Sequence, residues 1–142
     1  IRLSGLLLLT AAIASFRRPS SLSLTWQWTG VAAFACSAAW MIWMYLSLGP
    51  NLTDTVAVRR KAYLVTRGPY RLVRHPMYLG LAAAGLSLAL IQGSPAVAAA
   101  TLLSFSLLAI RSRTEDRLLA QHFGAAYLDY ARRTPPFFPR FY

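Results

Sequence analysis

Acidic side chains are nearly missing from this 142-residue chain, which has four Asp and Glu against fifteen Lys and Arg and a net charge of +11. Charge of either sign is missing altogether from residues 19–53 and 76–110. Each stretch exceeds the roughly 20 apolar residues that a bilayer-spanning helix needs. Charged residues make up 13% of the chain, about half the usual share of a soluble domain. A soluble class is therefore disfavoured, and an integral membrane protein is expected. Cysteine is down to Cys36 alone, inside the first uncharged stretch, so no internal disulfide forms and Cys36 reads as a small packing residue. Neither His75 nor His122 has a cysteine or an acid at metal-ligand spacing, so no metal is expected. Also missing are a Gly-x-Gly-x-x-Gly phosphate turn, a Ser-His-acid or Cys-His nucleophile arrangement, internal repeats and low-complexity tracts. So basic a soluble protein would suggest nucleic acid, but there is no recognition helix and no aromatic-basic platform. Arg-rich loops beside apolar spans are the ordinary orientation signal of membrane proteins, and no nucleic-acid partner is expected.

What is present reads as spans and loops. Residues 3–16 are apolar and resemble a signal-peptide core, but Arg17-Arg18-Pro19 follows instead of a small-residue cleavage site, so a short first span is expected. The first residue is Ile1, and an initiator or a longer leader is expected upstream. Residues 22–48 form the second span, closed by Gly49-Pro50. Trp26 and Trp28 near one end, and Trp40, Trp43 and Tyr45 toward the other, suit the two membrane interfaces. Gln92-Gly93-Ser94-Pro95 divides the second uncharged stretch into residues 77–91 and 96–110, two apolar segments expected to form a tight helical hairpin. Its small residues Gly80, Ala82, Ala83, Ala84, Gly85 and Ser87 permit close helix contact. The expected fold class is all-α: a polytopic membrane protein of about four transmembrane helices, with a C-terminal hairpin and a cytoplasmic amphipathic helix.

Residues 54–75 and 111–142 are joined by an even number of crossings and share one side. With Arg2 that side holds 13 of the 15 basic residues, leaving Arg17 and Arg18 opposite. The positive-inside rule puts the basic side in the cytoplasm. Residues 114–133 read as one amphipathic helix, with Thr114 as N-cap, Glu115 and Asp116 in its first turn, and Pro135-Pro136 ending it. Leu119, Phe123, Tyr127 and Tyr130 make its apolar stripe, expected to pack on the membrane face or the hairpin.

The polar motifs lie on the same side. Gly68-Pro-Tyr70 is followed by Arg74-His75-Pro76 with Tyr78 and Gly80. After the hairpin come Glu115-Asp116, Phe123-Gly124 with Tyr127 and Tyr130, and a proline-rich close from Pro135 to Pro139. This ordered set, over about residues 62–139, resembles the isoprenylcysteine carboxyl methyltransferase family and its phospholipid-methyltransferase relatives. Asp116 stands where the family carries a second Glu. The resemblance divides the chain into transmembrane helices over residues 1–53 and a donor-binding catalytic region over residues 54–142. It implies S-adenosylmethionine as methyl donor, leaving as S-adenosylhomocysteine, in a cytoplasm-facing pocket. It also implies a lipophilic small-molecule or prenylated acceptor drawn from the membrane lipids. By the same resemblance Tyr63, Leu64, Val65, Tyr70, His75, Pro76, Tyr78 and Glu115 line the donor site, and Arg111 holds the acceptor.

The residue types allow these roles and plainer ones. Glu115 can take hydrogen bonds from the donor's ammonium or ribose hydroxyls, or it can be a helix-terminal acid or the i,i+4 partner of Arg111. His75 can donate to the donor's carboxylate, or hydrogen-bond within its loop. Arg71 and Arg74 have a ready reading as interfacial anchors, as does Arg111, and Arg113 competes with Arg111 for the acceptor. The expected reaction is methyl transfer to a membrane-embedded acceptor, first a prenylcysteine-like carboxylate. A phospholipid amine and a small thiol stay open as acceptors. An NADPH-dependent reductase of the sterol-reductase type and a non-catalytic scaffold stay open as other classes.

Overall fold

The computed structural model describes residues 22–49 and 63–138, and all of its regular structure is helical. The span expected over residues 3–16, the positions Arg2, Arg17, Arg18, Asp54, Arg59, Arg60 and Lys61, and the chain beyond Phe138 lie outside the described residues. Four α-helices follow in order among those described: α1 (Leu24–Leu48), α2 (Pro76–Gln92), α3 (Pro95–Phe123) and α4 (Ala125–Arg133), with a 3-10 turn at Gly68–Arg71 ahead of α2. Two of them, α1 and α3, are long and apolar enough to cross a bilayer, and the 17-residue α2 is shorter.

Local chemistry explains the ends of these helices. Gly49 closes α1 at φ +56°, the left-handed conformation that commonly terminates a helix. Pro76 and Pro95 each open a helix at its first position, where a missing N–H costs nothing. Ser94 accepts a hydrogen bond from the Val97 N–H at 3.3 Å, capping α3, and Gly93 at φ +60° makes the hairpin turn.

The single amphipathic helix expected over residues 114–133 is instead two helices. Nothing between Pro95 and Phe123 interrupts the backbone, so the polar segment continues the second hairpin helix as a 29-residue α3, and Thr114 lies inside it rather than at a cap. The break comes at Gly124, whose φ of +57° ends α3 and starts α4. The stripe is thereby divided, with Leu119 and Phe123 on α3 and Tyr127 and Tyr130 on α4.

The chain divides into two compact units, Ile1–Ala39 with Tyr78–Ala109, and Trp40–Met77 with Ile110–Tyr142. In the first, helices approach through small residues. A Cβ on Gly30 would lie 2.9 Å from the Ile91 side chain, and one on Gly85 would lie 2.5 Å from Thr101 Oγ1. Buried hydroxyls there are satisfied within their own helices, as in Ser87 to Ala83 O at 2.7 Å and Thr101 to Val97 O at 2.8 Å. The burial pattern is inverted relative to a soluble protein: Thr101 is 1% exposed while Leu102 is 57% exposed. Lipid tails are as apolar as leucine, so large apolar side chains gain nothing by leaving them, and small polar residues take the helix contacts.

In the second unit the turn at Gly68 presses on the end of α1. Its φ is +62°, and a Cβ there would sit 2.1 Å from Ser47 Oγ and 2.8 Å from Ser47 Cβ. Gly124 shares the left-handed φ but has nothing within 4 Å of its missing Cβ. Replacing either by Ala costs about 1–2 kcal/mol of backbone strain; at Gly68 the collision adds about 1–3 kcal/mol. Thermal unfolding in detergent should therefore place Gly68→Ala clearly below Gly124→Ala. Equal losses would show that the Gly68 contact is not tight.

Candidate active site

The Arg74-His75 pair, just ahead of α2, meets the Glu115-Asp116 pair of α3 within the second unit. Their local order comes from backbone first. The Arg74 N–H donates to Pro135 O at 2.9 Å and the His75 N–H to Pro136 O at 3.0 Å, so the proline-rich close holds the loop that carries both side chains. Pro76 O accepts from Trp40 Nε1 at 2.8 Å, and Tyr70 O accepts from the Tyr130 hydroxyl at 2.6 Å. Trp40, expected at a membrane interface, thus fastens the start of α2, while Trp43 and Tyr45 remain 45% and 44% exposed.

Side chains then close a polar cluster. His75 Nε2 lies 2.8 Å from Asp116 Oδ1, and Arg74 donates through a terminal nitrogen to Asp116 Oδ2 at 3.0 Å. The Tyr127 hydroxyl donates to the same Asp116 Oδ1. On the neighbouring position Glu115 Oε1 accepts from Arg111 Nε at 2.8 Å, and Glu115 Oε2 stands 3.7 Å from His75 Nδ1. The cluster is only partly open: His75 is 7%, Arg74 16%, Glu115 20%, Asp116 22% and Arg111 28% exposed at the side chain. Phe137 packs beside the His75 ring, centroids 5.7 Å apart. Arg74 Nε is buried with no hydrogen-bond partner.

The electrostatics follow from these contacts. Residues after 110 are past the uncharged part of α3. Burial works against ionisation of Asp116, but the hydrogen bonds from His75 and Tyr127 and the charges of His75 and Arg74 outweigh it and hold the carboxyl below its usual range. Burial, then the bond to Asp116, pushes the Tyr127 phenol up. Burial also raises Tyr130, and it pushes Tyr70 up to about 12 with help from Tyr45 and Glu115. All three phenols stay protonated through the physiological range. No group of three or more His, Cys, Asp and Glu side chains among the described residues is arranged to hold a metal ion.

Residues 25–126 match the family model for phospholipid methyltransferases. The chain belongs to the phospholipid methyltransferase family. Among its relatives, a cobalt-zinc-cadmium resistance protein of Cupriavidus metallidurans is 45% identical over 86 residues, covering 60% of this chain and 39% of that protein. Methanethiol S-methyltransferase 2 of Bradyrhizobium diazoefficiens is 29% identical over 136 residues, covering 82% and 50%. Protein-S-isoprenylcysteine O-methyltransferase B of Arabidopsis thaliana is 33% identical over 94 residues, covering 63% and 47%. The chain thus spans half or less of the length of each of these relatives.

Seen as a member of this family, the chain brings together some of the expected site residues. His75, Glu115 and Arg111 join one cluster, with Tyr70 tied in through its carbonyl and Pro76 buried beside it. The carboxylate that His75 meets is that of Asp116, and the partner that Glu115 holds is Arg111. Val65 is buried at 8% and Tyr63 is 47% exposed, its hydroxyl alongside Gly49. Leu64 is half-buried. Tyr78, fully buried, falls in the first unit. Arg71 is exposed, whereas Arg74 is half-buried and pairs with Asp116. Sequence reasoning missed Asp116, Arg74 and Tyr127 as members of the cluster. The available signal was the order of the motifs, which pairs Arg-His with Glu-Asp without saying which side chains touch.

The low carboxyl value of Asp116 sets a pH dependence. A depressed folded-state value means that its stabilisation is complete above the ordinary 3.8 and is lost as pH falls through the lower folded value. Asp116→Asn should cost about 1–3 kcal/mol near neutral pH, with the gap to the parent closing below 3.8. Denaturation in detergent at stepped pH checks this; a gap that persists unchanged far into acid contradicts it.

Proposed function

We propose that this chain carries the donor site of a membrane methyltransferase that moves a methyl group from S-adenosylmethionine to a lipophilic acceptor drawn from the bilayer. The observation that carries the reading is the partly open cluster of Arg74, His75, Arg111, Glu115 and Asp116, three of whose members stand on α3, a helix long and apolar enough to cross a bilayer. The donor set fits S-adenosylmethionine, whose ammonium, carboxylate and ribose hydroxyls call for both acids and cations. When bound, the donor supplies an electrophilic methyl group on its sulfonium. Glu115 is the acid offered to the donor, and Arg111, one turn before it, is the cation offered to the acceptor. The two hold each other at 2.8 Å, so each competes with its neighbour for a substrate's charged group. The protein's contribution is alignment and exclusion of water, for which the low exposure of His75 and the buried Tyr127 are suited.

A prenylcysteine-like carboxylate is the first reading for the acceptor, supported by the isoprenylcysteine O-methyltransferase relative and by a guanidinium suited to gripping a carboxylate. A small thiol is the second, supported by the methanethiol S-methyltransferase relative, whose match runs along 82% of this chain. By the distribution of basic residues, the cluster faces the cytoplasm of a multi-pass protein.

Calorimetry on the purified chain tests the donor. S-adenosylmethionine and S-adenosylhomocysteine should bind and NADPH should not, and Glu115→Gln should weaken the first two about tenfold or more, the worth of one charge-assisted hydrogen bond. NADPH binding in their place would move the chain to the reductases. Orientation has its own check in cysteines placed at the exposed positions Thr66 and Ala126 on a Cys36→Ser background. Both should label from the cytoplasmic side, and labelling from opposite faces refutes the topology.

A further inference from the structure

Every acid among the described residues already has its cation: Asp116 holds Arg74, Glu115 holds Arg111 and Asp129 holds Arg133. Among the described residues Arg67, Arg71, Arg113, Arg117 and Arg132 are exposed and outside every such pair. Two of them stand together. Arg113 and Arg117 are four residues apart on α3, where side chains share a face at roughly 5–6 Å. Like charges at that spacing repel, and Asp116, the acid within helical reach of Arg113, is taken up by Arg74, His75 and Tyr127. With 3.6 residues to a turn, Glu115 lies about 160° around the helix from both arginines, so the pair is turned away from the Arg111–Glu115 contact. Ile110, the last residue of the uncharged run, is 63% exposed. At 1.5 Å per residue Arg113 and Arg117 stand about 4.5 and 10.5 Å beyond it along the axis. A bilayer's headgroup layer is roughly 5–8 Å deep on each side of its hydrocarbon. With Ile110 among the lipid tails, the two guanidiniums reach the level of the lipid phosphates.

We propose that Arg113 and Arg117 form a binding site for the phosphate of an anionic phospholipid, separate from the site of methyl transfer. A guanidinium presents planar donors that match phosphate oxygens bidentately, and one phosphate between the two relieves their mutual repulsion. A zwitterionic headgroup brings its own cation to a place that already holds two. A headgroup without one, such as that of phosphatidylglycerol, is therefore preferred. The lipid is a ligand here and not a methyl acceptor, for phosphatidylglycerol carries no carboxylate, amine or thiol. The inference rests on α3 lying in a membrane and not on the identity of the methyl donor.

Native mass spectrometry of the full chain in neutral detergent, titrated with phosphatidylglycerol or phosphatidylcholine, counts bound lipids and gives their affinities. Phosphatidylglycerol should bind about tenfold more tightly or better, the worth of one charge-assisted contact. Each basic side chain near an anionic lipid surface contributes about fivefold in affinity. Arg113→Gln or Arg117→Gln should therefore weaken phosphatidylglycerol about fivefold, and the double variant about twenty-five-fold. Arg132→Gln, which removes an exposed arginine of α4, should leave that affinity unchanged. Equal affinity for the two lipids overturns the proposal. So does a loss in Arg132→Gln equal to that in Arg113→Gln, which would make the effect one of overall charge. Glycerol phosphate, the soluble headgroup, should not displace the lipid; displacement would assign the pair to a free phosphate and overturn the lipid. If the double variant fails to fold, the two single variants decide. A chain that binds phosphatidylglycerol in this pattern but no S-adenosylhomocysteine supports the lipid site and removes the donor reading.

Discussion

The Asp116 carboxylate is the contact on which the candidate site depends. It gathers His75 and Arg74 from the loop before α2 and Tyr127 from α4, so that side chains from two segments meet on one carboxylate of α3. Removing it would leave a guanidinium at 16% exposure and an imidazole at 7% without their shared acceptor, and an unpaired group in so dry a place is costly. The order of the family's motifs follows from this. Arg-His must reach the acids, the acids must lie on a continuous helix, and the Gly124 break must return the chain so that Tyr127 reaches Asp116 and Tyr130 reaches the Tyr70 carbonyl. The prolines at 135 and 136 offer backbone carbonyls to the Arg74 and His75 amides, a role indifferent to side-chain type and served well by a stiff, extended segment.

The setting explains why so small a chain can hold such a cluster. Apolar helices surrounded by lipid have little drive to bury their large side chains, so small and hydroxyl residues such as Ser87, Thr101 and Ser104 share the interior with Met44, Tyr78 and Val97, and helices come close at Gly30 and Gly85. Charge on α3 is then confined to its second half, from Arg111 on. Three of the chain's four acids lie among the described residues: two form the cluster, and the third, Asp129, pairs with Arg133 one turn on along α4.

How much of this was legible in the sequence varied with the range of the signal. Gly49-Pro50, Gln92-Gly93-Ser94-Pro95 and Pro76 are local punctuation, and the helices end or begin where they stand. The continuity of α3 was misread because the change from apolar to polar composition near residue 110 looks like a boundary. Ile110, Arg111, Ser112 and Arg113 contain no breaker, and the backbone has no reason to stop there. Gly124 was quoted as part of a motif, yet its conformational meaning shows only in its φ of +57°. The i,i+4 pairing of Arg111 with Glu115 is local and could be foreseen, whereas Asp116 and His75 are separated by 41 residues. The order of the motifs set these groups one after another along the chain; it contained no information on which acid meets which base.

The central claim is that the Arg-His and Glu-Asp cluster is where the methyl donor sits. Ultraviolet cross-linking of radiolabelled S-adenosylmethionine to the reconstituted chain, followed by peptide mapping, tests it most directly. The account predicts label confined to peptides from residues 63–80 and 111–130, and competed away by unlabelled S-adenosylhomocysteine. Competed label on α1 instead, or no competed label at all, would contradict it.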